Sequence, residues 1–490
     1  MMTNGIGLNA SLLMGAQSLN TQQQAIATTG NNISNINTPG YARQRAVIVE
    51  DTLNGSGGQM DMGASVSDIE SLRSPLLDSL VQQSLGSKGY ADNQASLTST
   101  VQTSLGEQLT SSTNSSSSTA SVTGSGPIQD ALTGFFGALQ GLASTPSDAT
   151  ARQVVVTDAQ SLTTAINGAY QRLQQTQSGI ASDASSITTQ INQLSQSIAS
   201  LNQQITAVQA ASGTPANGLV DTRQADINTL SGLINVTATT QSNGAVNIAL
   251  ADNPAVVLVA GVYSNGASTT QSLSVNYNAN AAVPLTVSGS TSGVLGTGVP
   301  SGGSLGSDLD VANNVIGSPG ASGDTGLLGA LDDVANQIIT QVNTQNEAGY
   351  DANGVAGGVI FTGTGAADIA VKSTVVNDPS LIAAGNGTGP LDGSNALAMA
   401  QIQNQAGITP ALQTMVANLG QTVSTAQNNQ TTQDQVAQQL QTQQNSVSGV
   451  SIDEEMTNLI NFQQAYEASA HFITTISGLY STLMSTIPSN

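Results

Sequence analysis

The sequence predicts a mainly α-helical protein with a β-rich insertion, in which long coiled-coil helices form an elongated, multidomain body and the N- and C-terminal helices pair. Three observations support this fold class. An apolar seam with a 3.5-residue repeat runs through the middle of the chain, shorter seams lie near both ends, and strand-like alternation separates two helical stretches. The length of 490 residues suggests roughly three domains.

The first predicted element is an amphipathic N-terminal helix. Leu12, Leu19, Ile26 and Ile33 recur every seven residues, which is the spacing of an apolar seam. Gly30 and the asparagines near it favour the end of this helix, because Gly and Asn tolerate the left-handed conformation of a C-terminal cap.

A turn is predicted directly after this helix. Pro39 and Gly40 fit the central positions of a type II turn, because proline fixes φ at the first position and glycine accepts the positive φ of the second. Residues 45–50 are then predicted to be extended. Taken alone, these residues indicate only a connection between a helix and a strand.

The helical body is predicted from the longest seam, which covers residues 166–208 and is interrupted only at Gln177. A helix of this length would extend roughly 65 Å and would need a partner helix. Candidate partners repeat the spacing at residues 412–426 and, after Gln430 and Gln433, at residues 437–447.

The outer part of the chain is predicted to be β-rich. Residues 234–299 alternate β-branched residues with polar residues and turn formers. The Gly/Ser-rich residues 288–306 and the Ser-rich residues 111–118 are predicted to be loops. Helical spacing returns at residues 327–343.

The last predicted helix carries its own apolar seam, which includes Leu459, Tyr466, Ile473 and Tyr480. Both terminal helices carry Gln, Asn, Ser, Thr and Ala on their other faces in place of charges. Such faces can be buried in an assembly without the expense of desolvating ions.

The composition excludes several classes of function. With 8 Lys and Arg against 30 Asp and Glu, the chain is not expected to bind nucleic acid or an anionic membrane surface. Because it has no Cys and a single His, His471, we expect no catalytic constellation, no enzyme activity, no metal site and no cofactor. It has no apolar run long enough for membrane insertion, and no charged n-region precedes Arg43, so no cleavable secretory signal is expected.

Both chain ends resemble the signatures of bacterial flagellar axial proteins, a group that contains rod, hook and hook-associated subunits. The N-terminal resemblance is carried by residues 30–35 (GNNISN) and 37–41 (NTPGY). The C-terminal resemblance is carried by residues 455–460 (EMTNLI) and 463–470 (QQAYEASA). These signatures are shared across the group.

Two internal segments, residues 217–226 (NGLVDTRQAD) and 349–361, resemble the hook-associated protein 1 family more selectively. The resemblance implies that the terminal helices form an inner tube, that a helical body surrounds it and that a β-rich domain faces outward. The implied division is residues 1–62 with 446–490 as the polymerising terminal helices, 63–230 with 324–445 as the helical body with a small β-rich segment near 355–385, and 231–323 as the β-rich outer domain.

The same resemblance implies a function and partners. The chain is expected to be a structural subunit that polymerises as a ring at the distal end of the hook and forms the junction to the filament. Its expected partners are further copies of itself, the hook protein, a second hook-filament junction protein and a flagellar export chaperone that binds near the C-terminus. Export through the flagellar type III apparatus without a cleaved signal peptide, to an extracellular position on the flagellum, is also implied.

The residues expected to form the assembly interface lie on the terminal seams and in the turn between the first helix and the body. They are Leu12, Leu19, Ile26, Ile33, Asn37, Pro39, Gly40, Tyr41, Leu459, Tyr466, Ile473 and Tyr480.

Other functions remain as alternatives. A flagellar hook or rod subunit would share the terminal signatures, although the long seam and residues 349–361 argue against it. A secreted adhesin or surface-layer protein is supported only by the polar composition and the β-rich insertion. A hydrolase in the insertion would have to work with carboxylates alone.

Overall fold

Long helices and small antiparallel sheets form the protein, and a computed structural model describes residues 3–55, 58–111, 122–212, 214–262, 267–289, 293–294, 302–318, 326–387, 389, 391–405 and 407–486. The helices are α1 (Thr3–Ser34), α2 (Pro75–Leu105), α3 (Pro127–Ser144), α4 (Ala149–Ser212), α5 (Asn217–Leu233), α6 (Gly303–Asp310), α7 (Leu327–Glu347), α8 (Ser373–Asn377), α9 (Ser394–Gln405), α10 (Ile408–Ser448) and α11 (Ile452–Thr486). A π-helix covers Val311–Ile316 and a short 3-10 helix covers Pro379–Leu381.

The strands form five small sheets within the described residues, and every pairing is antiparallel. The strands are β1 (Gln44–Gly55), β2 (Gly58–Ser71), β3 (Gln108–Ser111), β4 (Val122–Ser125), β5 (Val236–Thr240), β6 (Val246–Leu250), β7 (Val257–Ala260), β8 (Thr269–Thr270), β9 (Leu273–Tyr277), β10 (Leu285–Gly289), β11 (Gly293–Val294), β12 (Phe361–Thr362) and β13 (Ala370–Val371). The mainly α-helical fold with a β-rich insertion is thus confirmed.

The chain ends form one unit, in which α1 packs on α11 and on the long hairpin of β1 and β2. The hairpin pairs Gln44 with Ser71 at its base and Gly55 with Gly58 at its far end. The pairing of the terminal helices is therefore confirmed. The extended segment predicted at residues 45–50 belongs to β1, whereas the second strand of the hairpin was not predicted.

Helices α2 and α10 form the second long pair, and they also run antiparallel. Gln444 Nε2 donates to Asp78 Oδ1 at 2.6 Å, and Gln430 Nε2 donates to Asp92 Oδ1 at 3.1 Å. Lys88 lies between Asp92 and Asp434 and forms ion pairs with both carboxylates. The interruption of the C-terminal seam at Gln430 thus corresponds to a polar contact between the two helices.

Helix α4 has 64 residues and is the spine of the body, beginning well before the predicted seam at residue 166. Its apolar face packs on α2, α3, α5 and α6 and on strands β7, β8, β9 and β13. The long helix was predicted to pair with one partner helix, but its seam is covered by several elements in succession. A heptad pattern specifies an apolar stripe, and it does not specify that one helix must cover the stripe.

Gln177 interrupts the seam because it satisfies backbone groups of the π-helix. Its side chain is fully buried. Its Nε2 donates to the carbonyl oxygens of Ala312 and Gly317, each at 2.8 Å. The Ala312 carbonyl also accepts from Gly317 N–H at 3.2 Å, which is the i→i+5 bond of a π-helix. Gln177 thus gives both buried carbonyl groups a hydrogen-bond partner from the spine.

The β-rich unit lies against α4 through two sheets, with strand orders β5-β6-β7-β8 and β11-β10-β9. Two asparagines of α4 each bond both backbone groups of one strand residue. Asn192 bonds the N–H and carbonyl of Leu273 at 2.8 and 2.9 Å, and Asn202 bonds those of Val246 at 3.0 and 2.9 Å. These clasps fix the sheets on the spine.

Helix α6 returns the chain from the β-rich unit to the body, where it packs on α2, α4 and α5. The range 288–306 was predicted to be a loop, which is wrong at both ends, because β10 extends to Gly289 and α6 begins at Gly303. Gly303 has φ +74°, and a Cβ there would lie 2.4 Å from the backbone nitrogen of Ile234. Glycine at position 303 therefore permits both the positive φ and the close approach of α6 to Ile234. The predicted loop at 111–118 lies outside the described residues, apart from Ser111 in β3.

The largest side chains of the core lie where α3 meets α4 and the segment around β12. Phe135 contacts Phe136 and Phe361 edge-to-face, with ring centroids 5.1 and 5.4 Å apart. All three rings are almost completely buried. Strands β12 and β13 form the small hairpin that supports Phe361, within the range 355–385 where a small β-rich segment was predicted.

Candidate assembly interface

The terminal helices α1 and α11 run in opposite directions at close distance. The hydroxyl oxygens of Ser18 and Ser469 lie 2.9 Å apart. A Cβ added at Gly15 would lie 2.6 Å from Ile473 Cγ1, so glycine is needed for the observed separation. Small side chains therefore set the distance between the two helices.

Helix α1 is held on a second side by the hairpin. Thr21 Oγ1 donates to the carbonyl oxygen of Ala64 at 2.5 Å, and Gln17 Nε2 donates to Asp51 Oδ2 at 2.5 Å. Within residues 7–34 of α1, the buried residues are small or polar. They are Gly15, Thr21, Ala25, Thr28, Thr29 and Asn32.

None of the predicted seam residues is fully buried in the single chain. Leu12 and Tyr466 are 39% exposed and Tyr480 is 42% exposed. Leu19, Ile26, Ile33, Leu459 and Ile473 are half-buried. Further apolar side chains are exposed on the same two helices, namely Leu13, Ile452, Met456, Ile460, Phe472, Leu479, Leu483 and Met484.

The turn after α1 has the predicted geometry. Tyr41 N–H donates to the Thr38 carbonyl at 3.2 Å, and Gly40 has φ +80°, as the third position of a type II turn requires. Asn37, Pro39 and Gly40 are exposed, whereas Tyr41 is half-buried. The turn therefore presents its tip to solvent and directs Tyr41 inward.

Asn32 joins the end of α1 to the start of β1 and to α11. Its Oδ1 accepts hydrogen bonds from Tyr41 Oη and from Gln44 N–H, both at 2.9 Å. Its Nδ2 donates to the Gln44 carbonyl at 2.8 Å and to Glu455 Oε2 at 2.9 Å. Burial, with the charges of Asp221 and Glu455, raises the pKa of Tyr41 to about 12.

Arg43 connects three chain segments at the same point. Its Nε donates to Glu455 Oε1 at 2.7 Å, and its Nη1 donates to Glu454 Oε2 at 2.5 Å. Its backbone N–H donates to the Ser448 carbonyl, and its carbonyl accepts from Leu72 N–H, both at 2.8 Å. Glu455 is only 2% exposed, so its charge depends on these partners.

Arg73 and Asp221 tie the turn to helix α5 of the body. Arg73 Nη2 donates to the Gly40 carbonyl at 2.5 Å and to Asp221 Oδ1 at 2.9 Å. Asp221 Oδ2 also accepts from Ala42 N–H at 3.4 Å. Burial raises the pKa of the Asp221 carboxyl, and the charge of Arg73 opposes that shift. We call Asn32, Tyr41, Arg43, Arg73, Asp221 and Glu455 the junction network.

A polar cleft of about 620 Å³ lies beside this network, between the turn and the connection from α10 to α11. Its walls include Asn37, Pro39, Asn445 and Glu454. Tyr41 and Arg43 of the junction network also line this cleft, so it is bordered by one cation, one carboxylate and several amide and hydroxyl groups.

The turn after α1 led to Tyr41 but not to the rest of the junction network. Asn32, Asp221 and Glu455 lie in segments that carry the family resemblance, but they were assigned no functional role, and neither were Arg43 and Arg73. The scarcity of cations was the available signal. With 8 basic residues in the chain, each position where one stands is informative, and two of them lie at 43 and 73.

The described residues contain no group of three or more His, Cys, Asp or Glu side chains that could hold a metal ion. His471 is exposed on α11, and its backbone carbonyl accepts from the hydroxyls of Thr474 and Thr475. None of the helices within the described residues is long and apolar enough to cross a bilayer.

Three known protein families match parts of the chain. The family described as "Flagellar hook-associated protein FlgK helical domain" matches residues 93–361, more than half of the chain. The chain belongs to the FlgK family. It is a structural component of the flagellum at the hook-filament junction. The terminal helices match two broader families, "Flagella basal body rod protein" over residues 12–41 and "Flagellar basal body rod FlgEFG protein C-terminal" over residues 441–486.

Curated relatives match along nearly the whole chain. The chain is 25% identical to flagellar hook-associated protein 1 of Bacillus subtilis, covering 94% of both proteins. It is 27% identical to the proteins of the same name from Escherichia coli and Salmonella typhimurium, covering 97% of this chain and 99% of each relative. The full-length correspondence agrees with the FlgK family assignment.

A solved structure supports the fold. The flagellar hook junction protein FlgK from Burkholderia pseudomallei superposes with a TM-score of 0.58 at 19% identity, over 76% of this chain and 100% of that one. The predicted resemblance to the hook-associated protein 1 family is thus confirmed by family, relatives and fold together.

Proposed function

We propose that this FlgK-family chain polymerises as a ring at the distal end of the hook, through contacts between the paired terminal helices of neighbouring subunits. The observation that supports this is the apolar surface that α1 and α11 leave uncovered after they have packed on each other. Exposed apolar surface on a soluble chain is a common mark of a protein-protein interface.

The small-residue packing of α1 on α11 supports the same proposal. Gly15, Ser18 and Ser469 bring the two helices close together, so larger side chains such as Leu12, Tyr466 and Tyr480 remain available for other subunits. Helix α1 has no charged residue, and the carboxylates of α11 are Asp453, Glu454, Glu455 and Glu467, so most of the surface between the apolar side chains can be buried without desolvating ions. The predicted seam positions are therefore proposed as intersubunit contacts.

The junction network is proposed to set the angle between the terminal helices and the body. Arg43 and Arg73 each bond segments that are distant in sequence.

We propose residues 1–62 with 446–490 as the polymerising unit, 63–230 with 324–445 as the body, and 231–323 as the outer unit. Helix α6, which lies in the last of these ranges, contacts α2 and α4.

The proposed partners are further copies of the chain, the hook protein, a second hook-filament junction protein and an export chaperone near the C-terminus. We propose an extracellular position after export without a cleaved signal peptide, and a role without enzyme activity. A polymer subunit needs no catalytic group, and exposed apolar helices before assembly are the kind of surface that a chaperone covers.

Deletion of the gene tests the position in the flagellum. We expect completed hooks without filaments, and flagellin lost to the medium. A hook or rod subunit is the second candidate, because its family signatures match both terminal helices. Loss of the hook itself would support that candidate, and normal motile flagella would contradict both.

Complementation with point variants tests the interface. Tyr466→Glu places a charge on an exposed seam position, so we expect a folded monomer that no longer supports filament formation. Gln464→Glu adds the same charge two residues away on an exposed polar position and should retain motility. Equal motility of the two variants would contradict the assignment of Tyr466 to an intersubunit contact.

A further inference from the structure

Asp308 of α6 is a buried carboxyl group outside the terminal unit. Its side chain is completely shielded from solvent. Its Oδ1 accepts from Asn93 Nδ2 at 2.7 Å, whereas its Oδ2 is buried without a hydrogen-bond partner among the described residues. An ionised carboxylate in such a place is strongly unfavourable, because one oxygen has lost water and gained nothing.

The groups around Asp308 supply no positive charge. From α4, Asp183 faces it with a second negative charge. On α6 itself, Asp310 is bonded by Tyr90 Oη of α2 at 2.8 Å. Lys88, the cation of α2, is paired with carboxylates of its own helix and α10.

The charged side chains on the remaining elements next to α6 already bond other groups. On α5, Arg223 Nη1 donates to Asn202 Oδ1 and to the Gly244 carbonyl, and Asp226 accepts from Ser197 Oγ. The π-helix that follows α6 contains no ionisable residue. Burial, opposed by the Asn93 hydrogen bond and reinforced by Asp183, raises the pKa of Asp308 to about 7.

The protonation of Asp308 affects the structure because α6 lies between the β-rich unit and the body. Ser304 Oγ lies 3.4 Å from the carbonyl oxygens of Gly89 and Gly232, so α6 meets α2 and α5 with almost no space between backbones. The helix also carries the chain from the last strands of the β-rich unit into the body. Loosening of α6 would therefore release this second attachment of the β-rich unit, while the contacts of its sheets with α4 would remain.

We propose that α6 is a pH-sensitive joint between the β-rich unit and the helical body. With Asp308 neutral, α6 stays docked between α2 and α4. Loss of the proton leaves a buried carboxylate facing Asp183, and the docked position then becomes less stable than an opened one in which water reaches Asp308. The β-rich unit gains freedom to move as the pH rises toward neutrality.

The direction follows from proton linkage. A carboxyl that is protonated more readily in the docked state than in water favours docking most at low pH, and this stabilisation decreases as the pH rises from about 4 to about 7. The opening equilibrium of α6 should increase by up to about tenfold per pH unit in that window and level off above it.

Hydrogen exchange of the full chain between pH 5 and pH 8 tests the proposal, after correction for the intrinsic exchange rate. We expect peptides that cover residues 303–316 to open more as the pH rises, and we expect this change to disappear in Asp308→Asn, which imitates the neutral acid. The same pH dependence in parent and variant would overturn the proposal.

Asp310→Asn is the matched control, because it lies on the same helix and removes a charge. It weakens hydrogen bonds from Tyr90 and Asn314, so α6 should open more at every pH while the pH dependence remains. If Asp308→Asn does not fold, the parent profile decides, since an opening equilibrium that does not change from pH 5 to pH 8 overturns the proposal.

Discussion

The body and the terminal unit of this FlgK-family chain bury different kinds of side chain. Where α3 meets α4, Leu132, Phe135 and Ile166 are completely buried. In the terminal unit, residues 7–34 of α1 bury only small or polar side chains, and Glu455 is the one buried residue in the described part of α11. The body has a core that stabilises it as a single chain, whereas the terminal unit depends on polar contacts and leaves large apolar side chains exposed.

Substitution in the body core should have the largest effect on the isolated chain. Phe135→Ala removes a buried ring that contacts two others, and we expect it to lower the free energy of unfolding by about 3–5 kcal/mol. Leu12→Ala, on a side chain that is 39% exposed, should change it by no more than about 0.5 kcal/mol. Urea unfolding of the monomer measures both, and comparable losses would contradict the difference between the two regions.

Breaking the junction network should have the next largest effect, confined to the terminal unit. Glu455→Gln leaves Arg43 without its buried partner, so we expect α1 and α11 to open more easily by on the order of 3 kcal/mol. Glu454→Gln removes the neighbouring carboxylate, whose side chain is 61% exposed, and should have an effect of about 0–1 kcal/mol.

Hydrogen exchange at neutral pH separates these two variants. Peptides of α1 and α11 should exchange faster in Glu455→Gln, and peptides of α3 and α4 should be unchanged. Faster exchange throughout the body would mean that the junction network supports the whole chain and would contradict the independence of the two regions.

The close approach of α1 and α11 offers a smaller test. Gly15→Ala places a methyl group where Ile473 lies 2.6 Å away, and we expect the terminal unit to lose about 1–2 kcal/mol. Gly30→Ala is the matched control, because no atom lies within 4 Å of its added Cβ, and it should stabilise α1 by up to about 1 kcal/mol. Thermal unfolding followed by circular dichroism would show opposite shifts, and shifts of the same sign would contradict close packing at Gly15.

Apolar periodicity predicted the helices, their approximate positions and the pairing of the chain ends, because these depend on stripes that the sequence displays directly. It did not predict how the long seam of α4 would be covered, since helices and strands can both pack on an apolar stripe. It also left Gln177 unexplained, because the carbonyl groups that it bonds belong to Ala312 of the π-helix and to Gly317 directly after it, far along the chain.

The junction network shows a second limit of the sequence. Tyr41 and Glu455 are separated by more than 400 residues, and no local pattern indicates that Asn32 would bond both of them. The turn at Gly40 was predictable because a positive φ is a local requirement for glycine. Ion pairs between residues that are far apart in the sequence could not be predicted without the fold, even in a chain with so few cations.

Tyr41 gives the smallest expected effect, and it sharpens the comparison because it acts on the junction alone. Tyr41→Phe removes the hydrogen bond to Asn32, which should weaken the junction by about 1 kcal/mol at neutral pH. In the parent chain the raised pKa of Tyr41, about 12, keeps the phenol neutral in the folded state while an exposed tyrosine ionises near pH 10. The stability of the junction should therefore be constant below pH 10 and fall as the pH rises to 12.

The absence of Cys in the chain allows this loosening to be measured with spin labels at two introduced cysteines, Gln83→Cys on α2 and Gln464→Cys on α11, both exposed positions. The distance distribution between the labels should broaden from pH 10 to 12 in the parent and change less in Tyr41→Phe. Tyr90→Phe removes a body phenol, whose pKa burial also raises, and should retain the broadening. Equal broadening in Tyr41→Phe and in the parent would mean that the group that ionises lies in the body. The junction network would then not control the terminal unit independently of the body.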